Sequence, residues 1–399
     1  MRARRLGLTP AGGAVGIGTV FLLLCTPLLP ATAAETSAGS TPVQASQDGT
    51  GHGKGHGKRL GLRDVAPRGL FVGTAAAGGG HHLEQDYPDP FTYDQPYRRI
   101  LAAEFNSVTP ENQLKWEFVH PEPGVYNFGA TDAIVRFARR HHQVVRGHTL
   151  LWHSQLPAWV REGDFTDQEL RAVLKEHIQT VVGRYRGRIQ QWDVANEIFT
   201  DGENPQLRPE NIFIQRLGPG IVADAFRWAH QADPRAQLFL NDYAVEDIGP
   251  KSTAYYELAK QLRAQGVPLH GFAVQAHLSF EYPFPATLRQ NLQRFDDLGL
   301  ETAVTELDVR MPVAASGPTP QQLEQQADWY RWTLQACLAV EDCNSFTIWG
   351  FTDKYSWVPH FFAGFGAANV MTENFERKPA YYALWHTLAR ARSQHGART

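Results

Sequence analysis

The sequence predicts a single (β/α)8 barrel of the TIM type. Three observations carry that expectation. Eight short apolar runs with strand character recur along the chain, amphipathic stretches of helical length lie between them, and polar residues gather at the ends of seven of the runs. The runs are GLFVGTAA at 69–76, FNSVTPEN at 105–112, VVRGHTLLWH at 144–153, IQQWDVANE at 189–197, AQLFLNDY at 236–243, GFAVQAHL at 271–278, ETAVTELDV at 301–309 and SFTIWGF at 345–351. A doubly wound open sheet is the alternative, but no G-x-G-x-x-G opens a helix after a strand.

Ahead of the barrel, residues 1–33 read as a signal peptide. Arg2, Arg4 and Arg5 form a basic head, an apolar stretch ends in VFLLLCTPLLP, and Ala31-Thr32-Ala33 fits a cleavage site. Gly and Pro interrupt the run, whereas a membrane span needs about 20 apolar residues. Leu24 is bulky for a residue preceding a lipid-bearing cysteine, so secretion to the extracellular space is expected. Residues 34–66, with GTGHGKGHGKR at 49–59, read as a flexible linker that can bury no core. The catalytic barrel is expected over 67–393 and a short tail over 394–399.

Several helices have legible boundaries. TDAIVRFARRHH (131–142) puts Ile134, Phe137 and Ala138 on one face, with Thr131 or Asp132 placed to cap. TDQELRAVLKEHIQTVVGRYR (166–186) opens on a capping box from Thr166 to Glu169. STAYYELAKQLRAQG (252–266) stops at Gly266. The stretches at 319–340 and 378–393 complete the set. Once a leader is removed, Cys337 and Cys343 remain, an even pair that reads as a disulfide in an exported protein.

Composition narrows the partners. Hydrophobic residues make up 43%, enough for a large core, and the formal net charge is only -3 with no long basic stretch. Nucleic acid and stable membrane association are therefore not expected.

Chemistry concentrates at the strand ends, which in a barrel share one rim. They offer Glu111, Asn112 and Lys115; His148, Trp152 and His153; Asn196 and Glu197; Asn241, Asp242 and Tyr243; Gln275 and His277; Glu306 and Asp308; and Trp349, with Trp357 beyond it. A single polar strand end is commonly a cap, but seven on one rim point to a site. Glu197 and Glu306 face each other across the barrel mouth. A carboxyl pair is what acetal cleavage needs, one to protonate the leaving oxygen and one to attack or stabilise the sugar carbon. No metal and no cofactor is required. His148, His153 and His277 are weighed as a zinc set and set aside, because groups suited to sugar hydroxyls surround them. Three Trp at strand ends offer flat faces for pyranose rings.

The motifs TPENQLKW, GHTLLWHSQLPAW, WDVANE, NDY, QAHL and TELDVR, in this order, resemble glycoside hydrolase family 10, the endo-β-1,4-xylanases. The match runs from about Leu70 to Leu388. The resemblance implies retaining hydrolysis of xylan and xylo-oligosaccharides, with Glu197 as acid/base and Glu306 as nucleophile; a monomer is expected. It implies that Asn196 bonds the 2-hydroxyl of the reacting sugar and that His277 bonds Glu306 while Asp308 holds His277. It further implies that Gln275 lies near the nucleophile, that Glu111, Asn112, Lys115, His148 and Trp152 hold sugars on the non-reducing side, and that Trp349 and Trp357 cover the reacting ring. Ala195 and Ile198 depart from the Val and Ala expected beside the acid/base. Rival readings are a non-catalytic sugar-binding barrel, a glucanase with the same carboxylates, and an aldolase. Both acids are present, and Lys115 sits in a sugar-contact motif rather than as a Schiff-base lysine.

Overall fold

The computed structural model describes residues 60–80 and 87–396. The signal peptide and most of the expected linker lie outside the described residues.

Eight parallel strands close into a barrel: β1 Phe71–Ala76, β2 Ser107–Pro110, β3 Val144–Leu151, β4 Gln191–Asn196, β5 Gln237–Asp242, β6 Gly271–Val274, β7 Glu301–Pro312 and β8 Cys343–Ile348. Each pairs with the next, and β8 returns to β1 with Phe71 opposite Ser345. All eight runs read from the sequence are strands, as expected for continuous apolar segments buried on both faces. Short strands His277–Ser279 and Phe365–Gly366 extend the rim beside β7.

Each strand is followed by an outer helix: α1 Gln95–Glu104, α2 Gly129–Arg140, α3 Asp167–Arg184, α4 Gly220–Ala232, α5 Pro250–Ala264, α6 Leu288–Asp296, α7 Pro320–Leu338 and α8 Pro379–Gly396. Thr166 and Glu169 form the expected capping box, with Glu169 N donating to Thr166 Oγ1 at 3.3 Å and Thr166 N to Glu169 Oε2 at 2.7 Å. Thr319 and Gln322 repeat it on α7. The expected cap of α2 is different. That helix starts two residues before Thr131, whose hydroxyl instead donates to Gln113 O at 2.8 Å, and Asp132 pairs with Arg184, the last residue of α3, and with Tyr185 just after it.

The folded body also begins earlier than residue 67. A helical turn at Leu62–Val65 buries both of its terminal side chains, and Leu62 N donates to Glu104 Oε2 at 2.9 Å. Two apolar residues and a buried carboxylate thus fix a segment whose Gly- and Lys-rich approach reads as linker. At the other end α8 runs to Gly396, into the expected tail. Cys337, near the end of α7, is bonded to Cys343 at the start of β8, so the expected disulfide ties a helix to its strand.

The barrel interior carries a polar layer beneath the rim. Arg146 and Asp193 are each 1% exposed; Arg146 Nε lies 3.1 and 3.2 Å from the two Asp193 oxygens, and its guanidinium stands 4.5 Å from the Phe239 ring centroid. A glycine at 271 is required here, since a Cβ there would lie 2.1 Å from the Phe239 ring.

Candidate active site

Most strand-end residues read from the sequence meet in one cleft of about 850 Å³ at the C-terminal rim, lined by Glu111, Lys115, Trp152, Glu197, Gln275, Glu306 and Trp357 among others. Glu197 follows β4 directly, with a left-handed backbone (φ 52°) that turns its side chain out of the strand and into the cleft. Conformations of this kind concentrate at functional sites. Glu306 stays within β7 and is buried, whereas Glu197 is half-buried.

A short hydrogen-bond chain links the two carboxylates. Asn241 Nδ2, from the end of β5, donates to Glu306 Oε1 at 2.8 Å and to Asn196 Oδ1 at 2.9 Å, and Asn196 Nδ2 donates to Glu197 Oε1 at 3.3 Å. Thr305 Oγ1 orients Asn241 by donating to its carbonyl at 2.7 Å.

The two glutamates have different surroundings. Burial alone would push Glu306 upward, but His148, His277 and the Asn241 amide outweigh it and hold its pKa at about 2. His277 Nε2 lies 3.3 Å from Glu306 Oε2, and its Nδ1 lies 3.1 Å from Asp308 Oδ1. Burial would pull this imidazole down, yet the flanking carboxylates, Asp308 first, raise it to about 10. Trp357 Nε1 in turn donates to Asp308 Oδ2 at 2.6 Å. On the other side, Glu197 Oε2 accepts from Trp152 Nε1 at 2.9 Å and Oε1 accepts from Gln275 Nε2 at 3.0 Å.

Two placements refine the sequence reading. Gln275 is next to Glu306 only through the backbone, its carbonyl accepting from Glu306 N at 2.9 Å, while its side chain goes to Glu197. His148 directs Nδ1 to Asp193 Oδ2 at 3.0 Å, with Glu306 Oε1 at 3.8 Å, so that nitrogen is engaged by carboxylates rather than free for a sugar. His148, Asp193 and Glu306 bring three metal-type ligand atoms within 4.8 Å of one another. Arg146 already supplies a cation to Asp193, and with His148 the two form a buried electrostatic cluster behind Glu306.

Along the cleft wall from β2 and β3, Lys115 Nζ donates to Asn112 Oδ1 at 2.9 Å and stands 4.9 Å from the Trp152 ring centroid, and Gln155 Nε2 reaches Asn112 Oδ1 at 3.4 Å. Glu111 accepts from Gly78 N at 2.9 Å and from Tyr87 OH at 3.2 Å; burial lifts its pKa to about 7 against these donors and Lys115. Trp349 packs edge-on to His148 and His277.

Asn241 was visible as a strand-end residue without a role. Asp193, Arg146 and Tyr87 carried no sequence signal beyond polarity within or near a strand, and their part emerges only from contacts between strands.

The comparisons with known proteins accord with this geometry. The model of glycosyl hydrolase family 10 matches residues 66–387. An endo-1,4-beta-xylanase of Agaricus bisporus is 42% identical over 312 residues, covering 78% of this chain and 92% of that protein. Endo-1,4-beta-xylanase B of Thermotoga neapolitana is 40% identical over 290 residues, 73% of this chain and 82% of its own. Among solved structures, xylanase 10B from Thermotoga petrophila in complex with xylobiose aligns with a TM-score of 0.77 at 38% identity, over 84% of this chain and 99% of that one. A barrel that closes in the same way and a sequence match over almost all of it lead to one conclusion: the chain belongs to glycosyl hydrolase family 10.

Proposed function

We propose the following assignment of roles within an endo-1,4-β-xylanase that cleaves internal β-1,4-xylosidic bonds with retention. Activity and family follow from relatives that carry that activity at about 40% identity. The observation that supports the roles is the unequal setting of the two glutamates. Glu306 is buried among cationic and amide donors that favour its carboxylate. Glu197 is half-buried, reaches the cleft, and is held by three neutral donors, from Trp152, Gln275 and Asn196.

In the first step Glu306 attacks the anomeric carbon while the Glu197 carboxyl gives its proton to the departing glycosidic oxygen. The C–O bond breaks, a glycosyl ester forms on Glu306, and Glu197 is left as carboxylate. In the second step Glu197 takes a proton from water, whose oxygen displaces Glu306. Two inversions give net retention. Asn196 bonds the 2-hydroxyl, with Asn241 fixing its amide. Asp308 and Trp357 hold His277 against Glu306. The Glu111, Asn112, Lys115, Trp152 group binds sugars on the non-reducing side, and Trp349 and Trp357 close over the reacting ring.

The substrate is xylan and its oligosaccharides. No helix among the described residues is long and apolar enough to cross a membrane. Export by the 1–33 leader, a linker up to about residue 60 and a monomeric state belong to the same proposal, and the disulfide supports the export part of it. Product analysis on xylan beside carboxymethyl-cellulose tests it: xylo-oligosaccharides from internal cuts are expected, and equal or greater release from the cellulose derivative would reject the substrate.

A further inference from the structure

Arg310 closes the TELDVR motif, and the roles above leave it unused. It lines the same cleft as the two glutamates. Side chains two residues apart on a strand share a face, so Glu306, Asp308 and Arg310 point the same way from β7, and Arg310 stands about 13 Å along the strand from Glu306. The β6–β7 wall carrying Arg310 lies across the mouth from the β2–β3 wall carrying Lys115 and Trp152.

The guanidinium is held but not satisfied. Its Cζ is 3.9 Å from the Phe362 ring centroid, a stacking contact that fixes the plane of the fork. Nε is buried and has no hydrogen-bond partner, and among the described residues no protein acceptor bonds any other of its nitrogens. Its one ionic neighbour among the described residues, Glu281 Oε2, lies 3.9 Å from Nη2, and that carboxylate is 47% exposed and already accepts from Ser279 Oγ at 3.0 Å. A fork with open donors in a substrate cleft suits a planar carboxylate, which can engage it with two parallel hydrogen bonds.

We propose that Arg310 receives the carboxylate of a uronic-acid branch carried by the xylan chain on the reducing side of the cut, making it a specificity residue for acidic xylan. The loose contact with Glu281 gives way when the branch binds. This rests on the xylan-hydrolase reading above.

The test compares kcat/KM on glucuronoxylan with kcat/KM on the same polymer after its carboxyl groups have been reduced to alcohols. The native chain is expected to favour the acidic form by about tenfold, the scale of one charge-assisted pair. Arg310→Met should bring the ratio close to one, and Glu281→Gln, which removes the competing carboxylate, should raise it. A native ratio near one, or a ratio indifferent to both substitutions, overturns the proposal. If Arg310→Met does not fold, Glu281→Gln alone decides, and an unchanged ratio rejects it. A native chain that hydrolyses neither polymer would instead reject the underlying function.

Discussion

Asn241 donates to the Glu306 carboxylate at 2.8 Å, and the same amide nitrogen reaches Asn196 at 2.9 Å. One side chain therefore sets the position of both the buried glutamate and the asparagine beside Glu197. It is also one of the donors that keep Glu306 ionised. Asn241→Ala removes a hydrogen bond to a charged group, an interaction of about 1.5–3 kcal/mol. The Glu306 pKa should rise, because its carboxylate loses support while its burial remains. The acid limb of kcat/KM against pH is expected to move upward by about one pH unit or more, with activity lost earlier as pH falls. An unmoved limb would remove Asn241 from the account.

His277 has the opposite linkage. Its folded pKa, about 10, lies above the ordinary value of 6.5. The stability it contributes is fully present below about pH 6.5 and is lost as pH rises through about 10. His277→Gln should therefore flatten the alkaline fall of thermal stability between those limits. Melting temperatures of both proteins from pH 6 to 10.5 check this; parallel curves would show that the imidazolium is not held by Asp308 and Glu306.

Arg146 and Asp193 form a buried pair below the rim. Arg146→Met strips the Asp193 carboxylate of its guanidinium and leaves it only His148 Nδ1 at 3.0 Å, and breaking such a buried pair from one side costs about 3–5 kcal/mol. Urea unfolding measures it. The double variant Arg146→Met, Asp193→Leu should recover part of the loss, since an apolar pair needs no charge balance.

The Cys337–Cys343 disulfide closes a loop with a sequence separation of only 6. The chain-entropy gain for so short a loop is about 2 kcal/mol. The paired Ser variant is expected to lose about that much stability and to keep its kcat, because α7 and β8 are joined there at the end of the barrel away from the cleft. A loss of catalysis at full stability would contradict this.

The sequence made the strands easier to read than the helices. The eight strand runs are short and largely apolar, and seven of them lead into polar residues at the rim, so composition and punctuation agree. The helix at 95–104 does carry local start signals, with Asp94 accepting from Tyr97 N at 3.0 Å and a proline in the first turn, on a segment of only 10 residues. The helices at 220–232 and 288–296 have no clear boundary in the sequence: GIVADAFRWAHQA has no side-chain cap and LRQNLQRFD is mostly polar, so tertiary packing rather than local signal decides them. Thr131 illustrates the same limit, since a good capping residue is taken by a backbone carbonyl from another segment. At the site, strand ends identified which residues share the rim. They did not reveal that Gln275 bonds Glu197, that the Trp152 indole N–H does so too, or that Asp193 and Arg146 stand behind His148. Alternation fixes the face a side chain takes, whereas partners across a closed barrel depend on stagger and rotamer.

The proposed chemistry turns on Glu306 as the nucleophile and Glu197 as the proton donor. Its most direct test is the turnover of Glu306→Ala and Glu197→Ala on xylan and on an aryl xylobioside with a good leaving group. Glu306→Ala should lose more than about 10⁴-fold on both, because no covalent step remains. Glu197→Ala should lose about 10²–10⁴-fold on xylan but form the glycosyl-enzyme from the aryl substrate at nearly the native rate, since that leaving group needs little protonation. Equal losses on the two substrates for Glu197→Ala, or aryl turnover that survives in Glu306→Ala, would contradict the assignment.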